Sequence, residues 1–160
     1  MTAVELGKRY TTAELLPHGP SMMLLDRLVT YRQDFARFEV DIRPDVQFHD
    51  GREGVPGWVG VEYMAQATCA YVGIERLQAG KKVQVNLLLG TRSYECSRPV
   101  FATGTTLTVD AELLFRAPDG VNAFACSIAQ NGDALAKAEL KVYGPDDIEP
   151  YLNELAKELP

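Results

Sequence analysis

Histidine and cysteine are scarce in this sequence: two histidines, His18 and His49, and three cysteines, Cys69, Cys96 and Cys126, among 160 residues. The cysteines are widely separated, odd in number and free of any Cys-x-x-Cys pair, which argues against a disulfide framework and a structural zinc site. Two histidines also make a metal cage hard to assemble. An excess of positive charge is missing too: the formal net charge is -6, so the overall balance gives no support to nucleic-acid binding. There is no glycine-rich phosphate loop and no Gly-x-Ser-x-Gly elbow. The longest apolar stretch, Trp58 to Ile74, is interrupted by Glu62, Gln66 and Gly73 and falls short of the roughly 20 apolar residues a membrane span needs. Met1 to Tyr10 mixes Glu5, Lys8 and Arg9 with small residues and lacks the apolar stretch and cleavage site of a secretory signal, so a cytoplasmic protein is expected.

What is present suits one globular core. Hydrophobic residues make up 46% of the chain and no repeat, linker or low-complexity tract divides it, so residues 1–160 are expected to form a single domain. Thr12 to Leu16 reads as a short helical turn capped by Thr11 or Thr12 and stopped by Pro17. Met22 to Tyr31 and Phe35 to Ile42 read as two strands of a hairpin turning at Gln33-Asp34, and Pro44 to Gly54 as a loop. Trp58 to Ile74 is apolar nearly all round and rich in alanine and methionine, which predicts a buried helix. Val83–Leu89, Ser93–Val100, Thr105–Arg116, Val121–Gln130 and Ala134–Tyr143 follow as antiparallel strands separated by glycine, proline and asparagine turns. Residues 146–159 place Ile148, Leu152, Leu155 and Leu159 at helical spacing, an amphipathic C-terminal helix. One buried helix followed by a meander of strands predicts an α+β layer with the sheet wrapped around the helix.

The chemistry concentrates in that helix and the loop before it. Glu62 and Gln66 are one turn apart and share a face of an otherwise apolar helix. A carboxylate there must be hydrogen-bonded, stay protonated because of its surroundings, or face a cavity used for catalysis. Pro56-Gly57 lies at the helix start, where free N–H groups and the positive end of the dipole suit an anion, and the missing Cβ of Gly57 leaves room for a substrate oxygen or merely a tight turn. His49 stands in a polar, glycine-containing loop, where an imidazole is either solvated or functional. His18, in Leu16-Pro17-His18-Gly19-Pro20, reads as structural. The cysteines give no nucleophile signal, since no histidine neighbours them in sequence.

At this point the sequence resembles the 3-hydroxyacyl-acyl-carrier-protein dehydratases. Leu16-Pro17-His18 through Leu24-Leu25-Asp26-Arg27 is similar to that family's Leu-Pro-His...Leu-Leu-x-Asp-Arg segment. Val55-Pro56-Gly57 through Glu62-Tyr63-Met64-Ala65-Gln66 is similar to its Met-Pro-Gly...Glu-x-Met-Ala-Gln helix start, and Arg98-Pro99-Val100 with Gly104 to its Arg-Pro-Val...Gly-Asp turn. Where the family has Gly-His-Phe-Pro, this chain has Phe48-His49-Asp50-Gly51, and the histidine is one residue nearer the helix. With this divergent loop the pattern most resembles the dehydratase-like proteins of aryl-polyene biosynthesis clusters.

The resemblance implies a hotdog fold, a curved antiparallel sheet around one long central helix, and an active dimer in which opposite subunits supply the histidine and the acid. It implies removal of water from a 3-hydroxyacyl thioester on acyl carrier protein, with His49 and Glu62 catalytic. The backbone N–H at Gly57 or Trp58 would hold the thioester carbonyl, and Gln66 would hold Glu62. No metal or dissociable cofactor is required. The expected partners are the carrier protein and a second copy or a related hotdog chain. Arg27, Lys81, Lys82 and Arg98 are candidate contacts for an acidic carrier. A thioesterase of the same fold, or a half-catalytic or non-catalytic subunit of a heterodimer, are the alternatives.

Overall fold

A computed structural model describes residues 9–160; Met1–Lys8, most of the segment read for a secretory signal, lie outside the described residues. A four-residue helix α1 (Thr12–Leu15) stands near the start of the described chain and is capped at its N-terminus by a capping box, in which Glu14 accepts the Thr11 backbone N–H at 2.7 Å. The two long strand neighbours that follow are β1 (Arg27–Arg32) and β2 (Phe35–Asp41). After the short β3 (Gly54–Pro56) and one 3-10 turn at Gly57–Val59 comes the long helix α2 (Gly60–Gln78). Six strands then run to the C-terminal helix: β4 (Leu87–Thr91), β5 (Glu95–Cys96), β6 (Val100–Ala102), β7 (Thr106–Arg116), β8 (Val121–Gln130) and β9 (Asp133–Tyr143). The chain ends in α3 (Glu149–Glu158), within the expected tail.

The main sheet is antiparallel, ordered β1-β2-β7-β8-β9-β4, with β5 also paired to β9; β3 and β6 form a separate ladder. Burial alternates along the central strands, so each sends every second side chain inward: Ala36, Phe38 and Val40 from β2, Leu107, Val109 and Ala111 from β7, Phe124, Cys126 and Ile128 from β8. These meet Tyr63, Met64, Ala67, Ala70, Tyr71 and Ile74 of α2, which packs against β2, β7, β8 and β9. The helix is buried on most sides because α1 covers what the sheet does not; a Cβ at Gly73 would run into the carbonyl oxygen of Leu15. This is the hotdog arrangement, an antiparallel sheet wrapped around one central helix. Among the described residues no helix is long and apolar enough to cross a membrane.

Several expected boundaries move, each for a physical reason. The first strand begins at Arg27, not Met22: Pro20–Met22 make a 3-10 turn, and the Leu24 N–H is taken by the Gln66 side chain at 2.9 Å in place of a neighbouring strand. Gly90, read as a turn, lies inside β4 where the register with β9 shifts between Leu88 and Gly90, a bulge. The strand expected over Ser93–Val100 divides into β5 and the start of β6, because Pro99 has no N–H to offer a ladder and its carbonyl accepts the Gly57 N–H at 2.8 Å.

Candidate functional site

The first turns of α2 are held by unusually direct backbone contact with the strand turn before β6. A Cβ at Gly57 would run into the Arg98 carbonyl oxygen and close on the Cys96 sulfur at 3.1 Å, so close approach of two backbones accounts for glycine there. The Gly57 N–H goes to Pro99, and the Tyr94 hydroxyl donates to the Gly57 carbonyl. Gly57 is thus committed at both polar atoms, which corrects its reading as an oxyanion donor. Of the two amides expected to face a thioester carbonyl, that of Trp58 is the one without a hydrogen bond. It sits just ahead of α2, where unpaired N–H groups and the helix dipole favour negative charge.

Glu62 lies in the first turn of α2 and is half-buried. Gln66, fully buried at 0% exposure, fixes it: Gln66 Nε2 donates to Glu62 Oε1 at 3.0 Å and to the Met22 carbonyl at 2.7 Å, while Gln66 Oε1 accepts the Leu24 N–H. Both amide hydrogens and the amide oxygen are used, so the side chain has a single satisfied orientation. The sequence placed Glu62 and Gln66 on one face; the structure adds the segment before β1 as the third member. Glu62 borders two cavities. One, of about 330 Å³, is lined by Met22, Phe48, Trp58, Val59, Val61 and Glu62. The other, of about 100 Å³, is lined by His18, Glu62, Gln66, Asn86 and the walls of α2, β4 and β9. The larger one opens on an apolar face where Trp58 is 67% exposed and stands edge-on to Phe48 with ring centroids 6.3 Å apart.

His49 is placed differently from the open-loop imidazole expected. Its side chain is only 7% exposed, and both ring nitrogens are occupied within the chain. Nδ1 accepts the Gly51 N–H at 2.9 Å. Nε2 donates to the Thr103 hydroxyl at 2.7 Å, whose own hydrogen goes to the Glu53 carbonyl at 3.0 Å. Asp50 completes the loop by accepting the N–H groups of Arg52, Glu53 and Gly54. The imidazole therefore ties the loop to the turn between β6 and β7, and it lines neither cavity at Glu62. Its neighbour Phe48, with φ of 68° in the left-handed region, is the loop residue that reaches the larger one.

The basic residues do not gather into one patch. Arg27 is paired with Glu39 at 2.6 Å and Asp41 at 2.7 Å, and Lys81 with Asp146 at 3.0 Å. Lys81 and Lys82 follow the C-terminus of the 19-residue α2, about 28 Å along the axis from its start. Arg98 is the candidate beside the helix start, through its carbonyl contact with Gly57, and its side chain makes no ion pair. The cysteines are free; burial pushes the Cys69 thiol up to about 11 and Cys126 higher still, which suits inert core positions. Sequence reasoning missed Asn86 and Tyr94, whose polar groups reach the site from strand-flanking segments and had no periodic signal to mark them.

Solved structures with this arrangement include one chain of the dehydratase heterocomplex ApeI:P from Xenorhabdus doucetiae, 27% identical, matching 89% of this chain and 96% of that one with a TM-score of 0.81. The Escherichia coli PaaI protein of the phenylacetic acid degradation operon is 15% identical over 73% of this chain and 77% of its own, TM-score 0.56. A hypothetical thioesterase with coenzyme A from Streptococcus pneumoniae is 10% identical over 75% and 87%, TM-score 0.57. These last two share the fold. Among curated proteins there is no match. The profile of the ApeP-like dehydratases spans residues 10–153, from two residues before α1 into α3, and takes in the Gln66 clamp, the His49 loop and the whole sheet: the chain belongs to the ApeP-like dehydratase family.

Proposed function

We propose that this chain, a single cytoplasmic domain, is the acid-bearing subunit of a dimeric dehydratase that removes water from a 3-hydroxyacyl thioester carried on acyl carrier protein. The observation that carries this reading is the Glu62 carboxyl, held by Gln66 at the wall of a cavity that opens just ahead of the α2 N-terminus. A base removes the C2 proton, the thioester oxygen gains negative charge against the Trp58 N–H, and Glu62 gives its proton to the C3 hydroxyl, which leaves as water. The product is the trans-2-enoyl thioester. Arg98, whose carbonyl lies against Gly57 at the helix start, is the basic residue that would meet the carrier.

The base comes from across the dimer. Because both His49 nitrogens are spent inside their own chain, pairing with a related hotdog chain that supplies a free histidine is the favoured assembly. The ApeI:P heterocomplex, a dehydratase of two different chains, is a precedent for it. Self-pairing with His49 as the base is the second reading, and Phe48, next to His49 and already in the Glu62 cavity, is what favours it. Enoyl absorbance is to be followed with 3-hydroxyacyl carrier protein, using the chain alone and with a co-encoded hotdog homologue. Release of free thiol without enoyl would replace dehydration by thioester hydrolysis. Equal activity of the chain alone would select self-pairing.

A further inference from the structure

The Trp58 N–H and the Gly57 carbonyl are the two ends of one peptide group, and the carbonyl end is held by two donors. The Tyr94 hydroxyl donates to it from the strand turn, and the Gly60 N–H closes on the same oxygen from the 3-10 turn. Among the described residues there is no cis peptide bond. A trans peptide is planar with its N–H directed opposite to its C=O, so whatever fixes the carbonyl also aims the hydrogen. The Trp58 N–H therefore points away from Tyr94 and out of the helix start, and Trp58 shares the walls of the larger cavity with Glu62. The amide before it, that of Gly57, is already spent on Pro99 at 2.8 Å.

The phenol comes from a firmly seated stretch of chain. Tyr94 stands between β4 and β5, and β9 pins that stretch on both sides: the Arg92 N–H reaches the Glu139 carbonyl at 2.9 Å and the Ser97 N–H the Leu135 carbonyl at 2.8 Å. Room for the hydroxyl is made at Gly60, where a Cβ would run into the Tyr94 oxygen, so the phenol itself requires glycine at the first position of α2. Burial holds the Tyr94 phenol above its ordinary value, which keeps its hydrogen in place through the neutral range. A hydrogen bond to a carbonyl draws charge toward that oxygen and leaves the attached N–H more positive; bonds linked in this way strengthen one another by roughly 10–30%. We propose that Tyr94 is a positioning residue for the oxyanion: through the Gly57–Trp58 peptide it aims and polarises the N–H that meets the thioester oxygen. The protonation state of Glu62 does not enter this arrangement. A residue that merely stapled the strand turn to the helix would leave the amide's electronics alone, and that difference can be measured.

The catalytic half of this proposal rests on the dehydratase reading, while the aiming of the amide does not. Backbone nitrogen NMR of the full chain reads the peptide directly. In Tyr94→Phe the Trp58 nitrogen should move upfield, because its peptide loses a donor at the carbonyl, while the Gly57 nitrogen stays near its place. With 3-fluorotyrosine in place of Tyr94, a more acidic phenol of nearly the same size, the Trp58 nitrogen should move the other way. A Trp58 signal indifferent to both changes overturns the proposal. In the assembled enzyme Tyr94→Phe should lower kcat about fivefold, the scale of one hydrogen bond. KM should stay within about twofold, as for an interaction made in the transition state. The fluorotyrosine enzyme should match or exceed the unmodified one. Unchanged kcat in a folded Tyr94→Phe protein, judged by its thermal midpoint, or a loss that falls on KM alone, overturns the positioning role. If Tyr94→Phe does not fold, the fluorotyrosine protein decides by the same two readings: a downfield Trp58 shift with kcat maintained supports the role, and an unmoved signal or a fallen kcat overturns it. The expected Trp58 shifts with no enoyl formed in any pairing would reject the dehydratase reading and the catalytic half together, and leave the aimed amide standing.

Discussion

The loop that carries His49 and the helix turn that carries Glu62 both fix a titratable side chain with several hydrogen bonds, and the two sets of bonds leave very different chemistry available. Around His49 the bonds end on the imidazole: the Gly51 N–H and the Thr103 hydroxyl take both nitrogens, and the ring is shut inside the loop. Around Glu62 they end on the neighbour: Gln66 spends all its capacity on Met22, Leu24 and one carboxylate oxygen, and the other oxygen stays open to a cavity. A catalytic group needs its working atom unbonded until substrate arrives, and by that measure only the helix turn is ready within one chain.

Substitutions can break or sharpen this contrast. Glu62→Gln is expected to lower kcat for enoyl formation by roughly a thousandfold with the urea midpoint nearly unchanged. His49→Ala in the same heterodimer should stay within about tenfold; a loss as deep as that of Glu62→Gln in a folded protein would restore His49 as the base. Gln66→Leu keeps the volume but strands the Leu24 N–H and the Met22 carbonyl, a loss of about 3 kcal/mol by urea unfolding. Gly57→Ala sets a Cβ against the Arg98 carbonyl and should cost about 2 kcal/mol. His49→Ala should cost about 1.5 kcal/mol, because the Gly51 N–H loses its acceptor, and protease nicking between Phe48 and Gly54 should rise. The smallest effect lies outside both regions. Arg27, then Thr106, holds the Asp41 carboxyl near a pKa of about 2, from an ordinary 3.8. The stabilisation is therefore complete above about pH 4 and lost as pH falls toward 2, worth about 1 kcal/mol or less for so exposed a pair. Asp41→Asn should flatten that part of the acid unfolding curve.

Much of the helix turn was legible in the sequence, because α-helical spacing is fixed: Glu62 and Gln66 had to share a face wherever the helix began. Strands β7, β8 and β9 were likewise written as period-two alternation, and their observed limits differ from the expected ones by a residue at most. The loop was not legible. Nothing in Phe48-His49-Asp50-Gly51 announces that Thr103, on a distant turn, will meet the imidazole, since loop geometry is decided by contacts rather than by period. The same holds for the segment before β1, whose polar groups read as a strand until the Gln66 amide is placed opposite them. His18 and Asn86 were hidden for that reason: each lies in irregular chain, and only the fold brings them to one cavity.

The Gln66 amide has a consequence for the order in which the molecule is made. Met22 and Leu24 leave the ribosome well before the helix, yet they find their partner only once Gln66 has folded into place. Until the two segments close on each other, the Glu62 carboxyl lacks its tether. On the proposed role of Glu62 as the acid, competence for proton donation is a late property of the chain, gained in the same event that docks its N-terminal arm. A half-assembled molecule, with sheet and helix present but the arm adrift, would carry the Glu62 carboxyl in the right neighbourhood and the wrong pose.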